Sequence, residues 1–285
     1  MSKYTIVISD YYYANQDQEN AVYERLGGDA EIVDLTRKAP GGIFEPEDLI
    51  PYVKDCDALV VQFAKITEEV INAMEKCKVI ARYAIGVDNI DVAAAKKKGI
   101  YVANVPDYCI DEVADTAAAH LLNAMRKVSY ARDMLLNDEF TMQKIQPLRR
   151  IRNCTLCLVG FGNIARNLYV KMKPFFGRIV AYDPYFKDEA SYPDVEFMDL
   201  KDAAACADAI SLHVPLMDST RGMINSEIFD AVKDGAVLVN TARGGIINEG
   251  DLIAALESGK IGFAGLDVIN GEDFRSSPLL HLPNV

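Results

Sequence analysis

Leu156–Met172 reads LCLVGFGNIARNLYVKM, and the reading of this stretch decides the fold. An apolar run ends at Gly160, and Gly160-Phe-Gly162-Asn163-Ile164-Ala165 leads into helical spacing, so the pattern is strand, GxGxxA turn, helix. Gly160 permits the tight turn. Gly162 lets backbone approach a pyrophosphate at the helix N-terminus, where free N–H groups and the helix dipole favour an anion. Ala165 supplies the small third residue that helix-strand packing requires. Three small residues also describe a turn in any α/β sheet, and the next strand separates the two readings. RIVAYD, residues 178–183, ends at Asp183, about twenty residues beyond Gly162, the spacing of an acid that accepts the ribose hydroxyls of NAD. The same acid would repel the 2′-phosphate of NADP.

Outward from this unit, strand-like and helical runs alternate along the chain. Upstream come YTIVIS, EIVDL, DALVVQF, KVIARY and YVANV, with helices expected near residues 16–26 and 46–54, over TEEVINAMEKC, and over DVAAAKKKG. Downstream come AISLHV, AVLVN and FAGLDV. Strict alternation predicts parallel βαβ units, and thus an α/β fold of two Rossmann-like domains, each a parallel sheet with helices on both faces. The boundary is drawn near residue 101, giving domains 1–100 and 101–285. A long helix is expected from about Ile110 to Leu136, followed by a polar segment over 137–153. That helix carries His120 among Ala and Leu, where a histidine is a packed residue rather than a catalyst. It also offers a contact for a homodimer through the cofactor domain.

Composition limits the function classes. The chain has 285 residues, 50% hydrophobic and 25% charged, which suits two globular domains rather than a disordered chain. Lys and Arg total 30 against 42 Asp and Glu, and the net charge of −12 opposes nucleic acid and anionic lipid as partners. No apolar run has membrane-span length and the start MSKYTIVISD has no signal-peptide core, so a cytoplasmic location is expected. The close cysteine pair, Cys154 and Cys157, lies in a strand-like run where positions three apart face opposite ways, so buried thiols are expected there and no metal site.

Three further strand ends carry groups suited to chemistry, because ligands in open α/β sheets bind beyond the carboxyl ends of strands. AVLVN runs into Thr241-Ala242-Arg243-Gly244-Gly245, AISLHV ends at His213-Val-Pro215, and FAGLDV leads to Glu272. An arginine beside a nicotinamide points to a substrate carboxylate, for which guanidinium offers a bidentate fork. A glutamate nearby could orient a histidine acting as acid and base.

LVGFGNIA, AYDPY, SLHVPL, VNTARGGIINEGDL, AGLDVINGE, ARYAIGVDNID and ANVP, in this order of roles, resemble the D-2-hydroxyacid dehydrogenases, the group that includes 3-phosphoglycerate dehydrogenase and the glyoxylate and hydroxypyruvate reductases. The resemblance runs from about residue 50 onward. It implies an NAD-dependent oxidoreductase acting on a small 2-oxo or 2-hydroxy acid. By matching position, Arg243 would bind and polarise the substrate, and Glu272 would partner the catalytic histidine. Ile85 and Gly86 would present backbone amides to the substrate carboxylate. Asn163 and Ile164 would meet the pyrophosphate, and Asp183 the adenosine ribose. His213, Pro215 and Thr220 would flank the cofactor, while Thr241, Ala242 and Asp267 would hold its nicotinamide end. Ala84 departs from a common glycine and Asp273 from a common proline. The helix EVADTAAAHLLN also resembles the C-terminal-binding-protein branch, so an NAD(H)-sensing regulatory protein is the alternative reading. In the family the catalytic histidine follows the LPNV segment, whereas His281 precedes it. The resemblance therefore implies a chain that stops before its proton donor and before the C-terminal return segment of the first domain, and hence an inactive one.

Overall fold

The computed structural model describes residues 4–271 and 275–285. The chain divides into two compact units, Met1–Tyr108 and Cys109–Val285, each an α/β layer structure with a parallel sheet flanked by helices. The division falls after Tyr108 rather than near residue 101, because Tyr101–Ala103 pairs with the preceding strand and so belongs to the first sheet.

The first sheet contains β1 (Tyr4–Ile8), β2 (Ala30–Asp34), β3 (Ala58–Val61), β4 (Val79–Arg82) and β5 (Tyr101–Ala103), in the order β2-β1-β3-β4-β5. This is the flavodoxin-like order, whose switch point lies between β1 and β3. Helices Asp17–Glu24, Pro46–Val53, Glu68–Ala73 and Val92–Lys98 make the crossovers. Their ends follow local chemistry. In Val92–Lys98 the Asp91 carboxylate accepts from Ala94 N at 2.8 Å, three lysines fill the last turn, and Gly99 closes it at φ +75°. Val7, Leu59, Val61 and Ile80 from the strands meet Leu49, Val70, Ile71 and Ala95 from the helices in one apolar core.

The second sheet contains β6 (Thr155–Val159), β7 (Arg178–Tyr182), β8 (Val195–Phe197), β9 (Ala209–Leu212), β10 (Ala236–Asn240) and β11 (Ile261–Leu266), ordered β11-β10-β9-β6-β7-β8 with every pairing parallel. Cores lie on both faces, which explains the uninterrupted apolar runs. Cys157 and Val159 enter one core, and Leu156 and Leu158 the other. Cys154 and Cys157 likewise fall in different cores, as the strand alternation implies.

Two expectations are corrected here. The helix expected from Ile110 to Leu136 is two helices, Ile110–Arg126 and Val128–Leu136, broken at Lys127, which takes the left-handed conformation at φ 56°. Asn123 supports the break by accepting from Ser129 N at 2.9 Å. The edge strand β8 was not expected, because three residues with only Val195 buried carry no legible alternation.

At the amino-end edge of this sheet, Asp208 ties three segments together. Its carboxylate takes Arg149 Nη1 at 2.7 Å, Lys233 Nζ at 2.8 Å and Thr155 N at 2.9 Å. Burial alone would raise its pKa, but the bonds from Lys233 and Thr155 N, with the two cationic charges, outweigh burial and hold the carboxyl below its ordinary range. The opposite, carboxyl-end edge is thereby left for ligand chemistry.

Candidate cofactor and substrate site

From β6 the chain winds through β7 to β8 on one side, whereas β9, β10 and β11 extend the sheet on the other. The β6/β9 boundary is thus the topological switch point, where loops leaving in opposite directions open a crevice. Gly160 sits at its floor with φ +89°, and a Cβ there would come within 2.9 Å of the His213 carbonyl carbon and oxygen. Only glycine permits both that backbone angle and that approach. Gly162 differs: an added Cβ meets nothing within 4 Å, so open space faces the start of helix Asn163–Met172. Among the described residues no side chain caps this helix. Its first-turn N–H groups at Asn163 and Ile164 therefore remain available to an anion. The Asn163 side chain is turned back to Arg166, whose Nη1 bonds the Phe161 carbonyl at 3.0 Å. What Asn163 can offer a pyrophosphate is accordingly its backbone.

Asp183, just past β7, both faces this turn and shapes it. One carboxylate oxygen accepts from Phe161 N at 2.8 Å, and the other from Tyr185 N at 2.9 Å and Phe186 N at 3.2 Å. The Phe161 ring, fully buried, packs edge-on against Phe186, Tyr192 and Phe197 at 5.0–5.1 Å between centroids. The glycine turn is therefore held from both sides before any ligand arrives.

Beyond β9, the His213 Nε2 lies 2.9 Å from Ser211 Oγ, and burial pushes its imidazole down to about 4, so it is neutral at pH 7. Thr220 is buried; its hydroxyl donates to Pro215 O at 2.6 Å and accepts from Met217 N at 2.8 Å, which closes the Pro215–Thr220 loop. Both hydroxyl functions are spent within the loop, so Thr220 shapes this flank through its fold.

At the end of β10, Thr241 Oγ1 is buried with no hydrogen-bond partner among the described residues. An orphaned buried hydroxyl is costly unless a ligand completes it. Together with the open space at Gly162 and the uncapped helix, it shows a site that fits a dinucleotide. Ala242 and Arg243 follow, and Arg243 is half-buried with Nη1 donating to Ala242 O at 2.8 Å. Gly244 lets this turn touch the segment after β11: a Cβ there would lie 1.9 Å from the Ile269 carbonyl carbon. Asp267, exposed, follows β11 and its N–H donates to Asn240 O at 3.0 Å. Glu272, expected beside Arg243, lies outside the described residues.

The sequence reading missed Asn240. This fully buried residue ends an otherwise apolar strand, its Oδ1 accepting from Ala242 N at 3.0 Å and its Nδ2 donating to Arg243 O at 2.9 Å. The amide thus sets the turn that aims Arg243. Its sequence signal was the lone polar position in AVLVN.

Of the other histidines, His120 packs its Cβ and ring against Gly265, where an added Cβ would lie 2.8 Å from the histidine Cβ. His281 is exposed on the turn Pro278–His281, which Leu279 anchors in the core. In the first unit, the Ile85 carbonyl accepts from Asn104 Nδ2 at 2.7 Å and the Gly86 carbonyl accepts from Arg82. With the carbonyls tied inward, the Ile85 and Gly86 N–H groups have no acceptor among the described residues. Two such peptides can bind a carboxylate.

Residues 118–285 match the family model described as D-isomer specific 2-hydroxyacid dehydrogenase, NAD binding domain. The hydroxypyruvate reductase of Thermotoga maritima is 41% identical over 245 residues, covering 85% of this chain and 79% of its own length. The D-3-phosphoglycerate dehydrogenase of Methanocaldococcus jannaschii is 40% identical over 242 residues, 84% of this chain but 46% of its own length, so the chain spans less than half of that relative. Among solved structures, a glyoxylate reductase from Paecilomyes thermophila superposes with a TM-score of 0.85 at 26% identity, over 99% of this chain and 86% of its own. Among the described residues no helix is long and apolar enough to cross a membrane.

Proposed function

We propose that this chain, which belongs to the D-isomer specific 2-hydroxyacid dehydrogenase family, interconverts a D-2-hydroxy acid and its 2-oxo acid with NAD(H). The observation that carries the reading is Arg243, fixed by the Asn240 clamp at the strand end next to the orphaned Thr241 hydroxyl. Bound NADH would supply a hydride to C2 of the 2-oxo acid, and a proton completes the 2-hydroxyl. The chain's residues do the remaining work. Arg243 holds the carboxylate and draws charge from the C2 oxygen. In the first unit, the Ile85 and Gly86 amides are assigned to carboxylate binding. Glu272 partners the proton donor. Gly160, Gly162 and the Asn163 and Ile164 amides seat the pyrophosphate, and Asp183 accepts the ribose hydroxyls. His213, Pro215 and Thr220 wall the cofactor's flank, while Thr241, Ala242 and Asp267 hold the nicotinamide end.

None of His120, His213 and His281 is assigned as the proton donor. The first is packed into the sheet, the second is held neutral beneath the cofactor turn, and the third stands on an exposed turn.

The test is Arg243→Lys, which keeps the charge but loses the planar fork. Binding of a 2-oxo acid to the NAD-saturated protein, a pair that cannot react because both ligands are oxidised, should weaken about tenfold or more, in line with roughly 1.5–3 kcal/mol for a charged hydrogen bond, while cofactor affinity stays nearly constant. Unchanged 2-oxo-acid affinity would remove the carboxylate role. A regulatory NAD(H) sensor, by contrast, would bind the cofactor with no 2-oxo acid bound at Arg243.

We infer that self-association, where it occurs, uses the Cys109–Val285 unit. Val128, Leu135 and Leu136 on helix Val128–Leu136, and Met142 beyond it, are apolar side chains about 60% exposed. Such a surface suits a second copy of the chain. A Leu135→Glu, Leu136→Glu double variant should sediment as a monomer where the parent sediments as a dimer; equal masses would refute the placement.

A further inference from the structure

The first unit has a pocket of about 480 Å³ at the carboxyl ends of β1, β4 and β5, the edge at which such sheets bind ligands. Tyr11, Tyr13, Tyr83 and Tyr108 line it, with Glu19 from helix Asp17–Glu24. Three of the rings form a corner. Tyr11 stands edge-on to Tyr13 (5.3 Å, 71°) and to Tyr83 (5.3 Å, 82°), and Tyr13 to Tyr83 (6.1 Å, 80°). The corner is pinned by its own hydroxyls: Tyr13 donates to the Tyr83 carbonyl at 3.2 Å, and Tyr11 donates to the Asn15 carbonyl.

The electrostatics of this pocket have one sign. Among the described residues no lysine, arginine or histidine lines it. Glu19 is half-buried and forms no ion pair among the described residues, whereas its charge reaches both Tyr11 and Tyr83. Burial first, then the Glu19 carboxylate by its charge and a hydrogen bond, with Tyr13, raise the Tyr11 pKa, and burial with the Tyr23, Glu19 and Tyr11 neighbours does the same for Tyr83, so both rings stay neutral. Neutral phenol faces carry the negative side of a quadrupole, and a carboxylate with no cationic partner among the described residues deepens it. A phosphate or second carboxylate would be repelled here.

The pocket wall adjoins, along the chain, the turn assigned above to the substrate carboxylate. Tyr83 is followed directly by Ala84, Ile85 and Gly86, and the pocket residue Val105 donates its N–H to Ala84 O at 3.1 Å. We propose that the tyrosine pocket receives a positively charged substituent, a primary ammonium or guanidinium, carried on the 2-oxo or 2-hydroxy acid whose carboxylate the Ile85–Gly86 turn binds. This rests on the 2-hydroxy-acid reading of the preceding subsection and narrows it to one substrate class. The ammonium would lie against the ring faces, with Glu19 as its counter-charge.

Three D-2-hydroxy acids of matched chain length test this by calorimetry on the NADH-saturated protein, where no turnover occurs because both ligands are reduced. They are 6-amino-2-hydroxyhexanoate, 2-hydroxyhexanoate and 2-hydroxyhexanedioate. The amino compound should bind on the order of tenfold tighter than the neutral one, and the diacid weakest. Glu19→Gln should shrink the amino compound's advantage to about twofold, the remainder coming from the rings. Equal or stronger binding of the neutral acid or the diacid, or an advantage untouched by Glu19→Gln, would overturn the pocket assignment and leave the hydroxy-acid reading standing. Binding of none of the three, with NADH bound, would sink that reading and this inference with it.

Discussion

Gly244→Ala is expected to destabilise the second unit more than any other single methyl group placed near the site. The added Cβ would lie 1.9 Å from the Ile269 carbonyl carbon, 2.0 Å from its oxygen and 2.4 Å from Asn270 N. All three atoms are backbone, so no side chain can swing aside. The β10 turn and the segment after β11 would have to separate, breaking the geometry that carries Arg243. Overpacking usually costs about 1–3 kcal/mol and more where nothing can relax. At roughly 2–4 °C per kcal/mol for a unit of this size, a fall in Tm of about 6 °C or more should appear by calorimetry or circular dichroism. Gly250→Ala is the control, because its Cβ would approach nothing closer than 3.5 Å and it sits in a helix where alanine is favoured. Equal melting of the two variants would mean that the turn and the Ile269 segment are not packed as described.

Asp183→Ala is expected to weaken NADH binding by on the order of tenfold to a hundredfold. The proposed ribose bonds would be charge-assisted and worth roughly 1.5–3 kcal/mol. The same substitution releases Phe161 N, Tyr185 N and Phe186 N, and so loosens the glycine turn. NADPH affinity should move less, because loss of a like charge near the 2′-phosphate opposes the loss of the turn's support. The preference for NADH over NADPH should therefore contract. The chain has no tryptophan, so the nicotinamide's own fluorescence is the signal to titrate. An NADH affinity equal to that of the parent protein would rule out the ribose assignment.

The doubly wound architecture and the cofactor turn were legible in the sequence because both are written in contiguous residues. β6, the Gly160–Ala165 turn and helix Asn163–Met172 form one uninterrupted signal, and the distance to Asp183 is simply one βα unit long. The apolar runs of β6, β9 and β10 reflect burial on two faces, which periodicity reports directly. Glu272 was named from a motif, and its place falls outside the described residues.

What only the tertiary structure decided involves partners far apart in the chain or a choice of backbone conformation. Nothing local in NAMRKVSY announces that Lys127 turns left-handed, because Asn123 stabilises the break only once the following turn has folded back to it. Gly244 reads as a generic loop glycine until Ile269 is seen against it. Tyr11 and Tyr13 after β1 carry no periodic signal, and they become a pocket only when parallel pairing orders the sheet so that the ends of β4 and β5 deliver Tyr83 and Tyr108. Residues adjacent in sequence determine the scaffold through propensity and pattern. The selectivity of a site depends on which strand ends the sheet order makes neighbours, and that order is set by long-range packing.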